Sequence, residues 1–82
     1  MGTIEDLKTM GISLRPDGSV SISNQDSLVV EPLVGFGKGD PLVPRKGYGD
    51  NTPAVVRITN VYDGSSALIT RHKGEWIITL RQ

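Results

Sequence analysis

His72 and Glu75 flank Lys73-Gly74, and a tight turn there sets an imidazole beside a carboxylate, the pairing used in general acid–base work. An exposed turn suits that chemistry poorly, because water screens both groups and nothing excludes it. Ser65, Ser66, His72 and Asp63 supply the letters of a nucleophilic triad, but all fall in one short stretch with no oxyanion site in view. Gly35-Phe36-Gly37-Lys38-Gly39-Asp40 has the glycine content of a phosphate loop. Its lysine is not followed by Ser or Thr, however, and no strand-to-helix frame surrounds it. The chain has no cysteine and one histidine, so neither disulfides nor a zinc set can come from one copy. The expectation is a protein with no catalytic residues, no metal and no cofactor.

Binding chemistry has more to work with. Tyr48, close after Arg45-Lys46 and downstream of Lys38, has the aromatic-plus-basic character of a nucleic-acid or partner contact. One aromatic is thin for that role, since single-strand binders line up several. Net charge is zero, with five acids against two bases in residues 1–31 and seven bases against four acids in residues 32–82. Such a split fits a phosphate backbone, solvated strand faces or complementary contacts between subunits. Trp76 is the sole tryptophan and reads either as a core residue or as an interface anchor, with Arg71 placed to stack on it.

The elements that position these residues must fit in 82 residues and 8.8 kDa, the size of a single small domain spanning 1–82. Leu, Ile, Val and Phe make up 23 residues, enough for a core, though so small a core favours supplement by other chains. Residues 1–11 predict a short helix, with Thr3 as N-cap, Ile4, Leu7 and Met10 at helical spacing, and Gly11 as the stop. Residues 12–34 predict a hairpin turning at Pro16-Asp17-Gly18-Ser19, then a third strand from Ser27 to Glu31, with Pro32 confining its continuation to an edge or bend. Residues 35–53 hold five glycines and three prolines in nineteen positions and predict a long structured loop or arm, of a length that is functional or becomes ordered against a partner. Residues 54–82 give the strongest signal, three β-rich runs joined at Asp63-Gly64 and Lys73-Gly74.

Two-residue loops at both turns place Tyr62 opposite Ser65 and His72 opposite Glu75. Ile58, Ile69 and Ile78 then form one cross-strand row, and Val56, Arg71 and Trp76 the next. One face carries Val56, Ile58, Tyr62, Ala67, Ile69, Trp76, Ile78 and Leu80. A three-residue loop at Lys73, closed by a glycine bulge, is the alternative register.

Within this meander, Arg71-His72-Lys73-Gly74-Glu75-Trp76-Ile77-Ile78 resembles the hairpin of the phage fibritin foldon and related tips of phage fibre and decoration proteins. The resemblance implies a homotrimer with Trp76 and Ile78 at the apolar subunit interface, near Ile69, Arg71 and Tyr62. Phe36-Gly37-Lys38-Gly39-Asp40, a long glycine-rich loop and three antiparallel strands are also similar to the layout of SH3-like small barrels. That resemblance implies peptide or nucleic-acid binding, as by a phage-encoded inhibitor of a host protein.

The combined expectation is an all-β domain with a short N-terminal helix. Its function is read as a non-enzymatic phage structural module, self-associating and in contact with other virion proteins, located in the virion or host cytoplasm. No secretion signal, membrane span or membrane partner is expected.

Overall fold

A computed structural model describes residues 4–81. It has two antiparallel sheets and one short helix. Helix α1 (Ile4–Met10) ends at Gly11, whose φ of 92° suits glycine and whose N–H donates to the Lys8 carbonyl. Leu7 is fully buried and Met10 packs on the core, so the helix docks on its own chain. Thr3, the expected N-cap, lies outside the described residues.

Strands β1 (Ile12–Leu14) and β2 (Val20–Ile22) form the expected hairpin, in register Ile12↔Ile22. Asp17 organises its turn, accepting hydrogen bonds from the Ser19 N–H at 2.9 Å and the Ser19 hydroxyl at 2.6 Å. Ser19 is itself buried, so the carboxylate satisfies two groups that water does not reach. Asp63 accepts the same pair of bonds from Ser65, at 2.8 Å and 2.6 Å, at an exposed site. The Ser19 and Ser65 hydroxyl bonds, followed by their backbone N–H bonds, hold both carboxyls below the ordinary aspartate range. A depressed folded-state pKa adds stability above the unfolded value of about 4, and this is lost as pH falls through the folded value. Melting curves from pH 5 to 2 should therefore show an acid limb that Asp17→Asn flattens; an unchanged limb would contradict the assignment.

The larger sheet has the order β3-β4-β5-β6, from β3 (Leu28–Val34), β4 (Ala54–Asn60), β5 (Ser66–His72) and β6 (Glu75–Arg81). The meander is thus extended by the third strand. β3 is an edge, and its register slips between Pro32 and Val34 at the proline that sequence places at an edge or bend. The second turn has two residues, with Lys73 at φ 53° and Gly74 at φ 73°, and pairs His72 with Glu75 as expected.

At the first turn the register differs from expectation. Ile58 faces Ala67 and Val56 faces Ile69, two residues away from the expected pairing. The cause is a longer loop: Asn60 N–H donates to the Ser65 carbonyl, while Asn60 Oδ1 accepts from the Tyr62 and Asp63 N–H groups. A slip of two preserves the faces. The inner rows become Val30-Ile58-Ala67-Leu80, Pro32-Val56-Ile69-Ile78 and Ala54-Arg71-Trp76. Tyr62 leaves the inner face and stands in the loop, 81% exposed.

Residues 35–53 are folded onto the body, not projected from it. Phe36 and Leu42 are buried at 3% and 2% exposure, and bridges join Leu42 to Val20, Phe36 to Pro44 and Tyr48 to Thr52. Val20 and Leu42 exchange both backbone hydrogen bonds at 2.8 Å. The radius of gyration of 11.5 Å matches the ~12 Å of a folded chain this long and leaves no room for a projecting arm. The core therefore sits between the large sheet and a second layer made of α1, the hairpin and this loop. Strand pairing does not close the two sheets into a barrel among the described residues.

Candidate functional site

The hairpin β5–β6 places four of the five residues expected at a subunit interface, and it divides them into three environments. Ile69 is fully buried in the middle of the sheet and belongs to the core. Arg71 is held within its own chain: its guanidinium lies 4.8 Å from the Trp76 ring centroid and donates to the Pro16 carbonyl at 3.0 Å. Trp76, Ile78 and Leu80 are partly buried against the core from the last strand. Tyr62 stands apart from all of these in the first loop. Of the five expected interface residues, Trp76 and Ile78 remain on one accessible strand.

That strand has an unpaired side. In the two-residue hairpin, His72 and Glu75 exchange both backbone bonds, so Ile77, Thr79 and Arg81 also point their N–H and C=O groups toward β5. Trp76, Ile78 and Leu80 point theirs outward. Among the described residues, no strand flanks β6 on that side and no backbone bond of a turn or loop reaches those three residues. β6 contains neither proline nor glycine, and its pairing has no bulge. Natural sheet edges are usually guarded by such devices.

The basic residues fall into two grooves. Lys38, Arg45 and Tyr48 line one of about 310 Å³ with Leu33, Val34 and Phe36. Lys46 lies in the adjoining groove, which Arg45 and Tyr48 also line and where Arg45, Lys46 and Arg71 face Asp17 and Asp50. Tyr48 packs partly buried against the core, directly over Gly35, so its ring is not a free stacking platform. A Cβ on Gly35 would lie 2.6 Å from Tyr48 Cδ2, and φ there is +76°. Gly35→Ala should therefore lower Tm through about 1–2 kcal/mol of left-handed backbone cost plus displacement of the ring. An unchanged Tm would show that the loop tolerates both.

The chemical pairs in the sequence do not converge. His72 accompanies Glu75 across the turn, and its Nε2 lies 3.3 Å from the Asn51 carbonyl. Asp63 and Ser65 bond each other at the far end of β5, roughly 20 Å from His72 at strand rise. In the glycine-rich loop, Phe36 turns inward and Gly37 N–H donates to Val43. Among the described residues, no cluster of three His, Cys, Asp or Glu side chains has metal-holding geometry. No helix there is long and apolar enough to cross a membrane.

Comparison with protein-family models, curated proteins and solved structures gives no match to this chain.

Proposed function

We propose that the protein is a non-enzymatic, self-associating structural module, of the kind that serves a phage virion as a decoration, fibre-base or trimerising piece. The observation that carries the reading is β6, an open edge whose Trp76, Ile78 and Leu80 are only partly covered by their own core. A second chain along that edge satisfies the outward backbone groups and completes the burial of all three side chains. The likeness of residues 71–78 to the foldon hairpin also points to self-association and implies three-fold symmetry, whereas the open edge of β6 suits a two-fold pair. The proposed partners are further copies and other virion proteins, in the virion or host cytoplasm.

The small-barrel reading, in which Lys38, Arg45, Lys46 and Tyr48 hold nucleic acid, has less support. Tyr48 is engaged in packing, and Lys46 shares its groove with two aspartates. A salt titration of oligonucleotide binding separates the readings, since phosphate contacts weaken steeply with salt.

Light scattering across the micromolar range should return a multiple of 8.8 kDa. A concentration-independent monomer would overturn self-association. Recovery of the chain from purified phage particles at fixed stoichiometry tests the virion placement, and its absence from them would overturn that placement.

A further inference from the structure

We propose that β6 pairs antiparallel with β6 of a second copy, in the register that sets Ile78 opposite Ile78, Trp76 opposite Leu80 and Glu75 opposite Arg81. The inference rests on the self-association reading and goes further by naming the surface, the symmetry and the register.

The backbone restricts the choice first. Only Trp76, Ile78 and Leu80 direct their N–H and C=O groups to the open side, so an incoming strand must set even positions against even ones. Registers displaced by an odd number of residues put outward groups against inward ones and form no ladder. Three symmetric registers bring much of β6 into contact, centred on Ile77, Ile78 or Thr79.

Charge selects among these. Glu75 and Arg81 are the two charged residues of β6, one at each end of the strand. Both are exposed, and neither has an ion-pair partner among the described residues. Centring on Ile78 brings Glu75 of each copy beside Arg81 of the other, on the same face of the sheet, at both ends of the pair. Centring on Ile77 sets Lys73 against Arg81, a like-charge contact. Centring on Thr79 sets Arg81 against Ile77 and leaves Glu75 without a charged counterpart. Opposite charges across antiparallel strands stabilise the pair and like charges weaken it.

The inner face agrees with the chosen register. Trp76, Ile78 and Leu80 are partly buried at the margin of the core, and a two-fold axis through Ile78 brings the two margins together. Trp76 of one copy then covers Leu80 of the other. On the outer face Ile77, 54% exposed, lies beside Thr79 of the second copy. The product is one antiparallel sheet running through both molecules.

Sedimentation equilibrium of the full chain between about 1 and 500 µM tests the proposal by mass action. Wild type is expected as a reversible dimer. Glu75→Arg and Arg81→Glu should each weaken it by roughly ten- to thirtyfold, since each change converts both symmetric ion pairs into repulsions. The double variant Glu75→Arg/Arg81→Glu should return to within about threefold of wild type, with the monomer Tm unchanged throughout. Amide exchange adds a second readout: protection at Trp76, Ile78 and Leu80 should rise with protein concentration. A dimer indifferent to the single changes, or not rescued by the double one, overturns the register. A trimer overturns two-fold edge pairing while leaving self-association intact, and a monomer throughout the range overturns both.

Discussion

Phe36→Ala should lower stability by about 3–5 kcal/mol, more than any other aromatic replacement in the chain. Phe36 is 3% exposed and lies between the two layers, with Pro44 bridging its backbone. A domain of this length has roughly 4–12 kcal/mol in total, so the variant stands near the threshold of folding. Thermal denaturation should show a loss of at least about 12 °C, at 4–8 °C per kcal/mol for a domain of this size. Trp76 is the larger side chain. It is only partly buried, and Arg71 forms one of its covers. Its truncation leaves no comparable sealed cavity. A greater fall in Tm for Trp76→Ala than for Phe36→Ala would contradict this ordering.

Ile69→Ala is expected to cost about 2–5 kcal/mol at every protein concentration. The side chain is fully buried between Val56 and Ile78 in its cross-strand row, one step inward from the open edge. A core position loses folding directly, whereas an interface position loses association first and makes the loss concentration-dependent. Denaturant titrations at low and high micromolar protein distinguish the two. A loss confined to high concentration would return Ile69 to the interface.

The sequence carries the elements well where alternation and turn chemistry act locally. Pro16-Asp17-Gly18-Ser19 marks the first hairpin, Lys73-Gly74 marks the last turn while leaving two registers open, and Pro32 marks an edge or bend, all from short-range stereochemistry. The first meander turn defeats the same reasoning because Asn60, before the Asp63-Gly64 signal, captures two N–H groups and lengthens the loop. The segment 35–53 misleads for a different reason. Its glycines and prolines report missing local order, while Phe36 and Leu42 are held by contacts with Pro44 and Val20 that composition does not encode. Of the candidate site, Trp76 and Ile78 are legible from the β-run and the turn. Leu80 is missed as a member of the edge, although its even spacing from Ile78 was the available signal. The openness of β6 is a property of topology, which among the described residues places no strand beside its outer edge, and no single residue announces it.

The slip between Pro32 and Val34 also decides how far any assembly can grow. Polymerisation by strand addition needs two reactive ends per molecule, so that each monomer added presents a fresh one. Here one end is inert: Pro32 lacks a donor, and the displaced register bends the hydrogen-bonding line that a newcomer would follow. With β6 as the proposed reactive end, the four-stranded sheet is monofunctional in the polymer chemist's sense. On that proposal growth of this sheet stops once β6 is occupied, and the product is a discrete particle instead of a fibre.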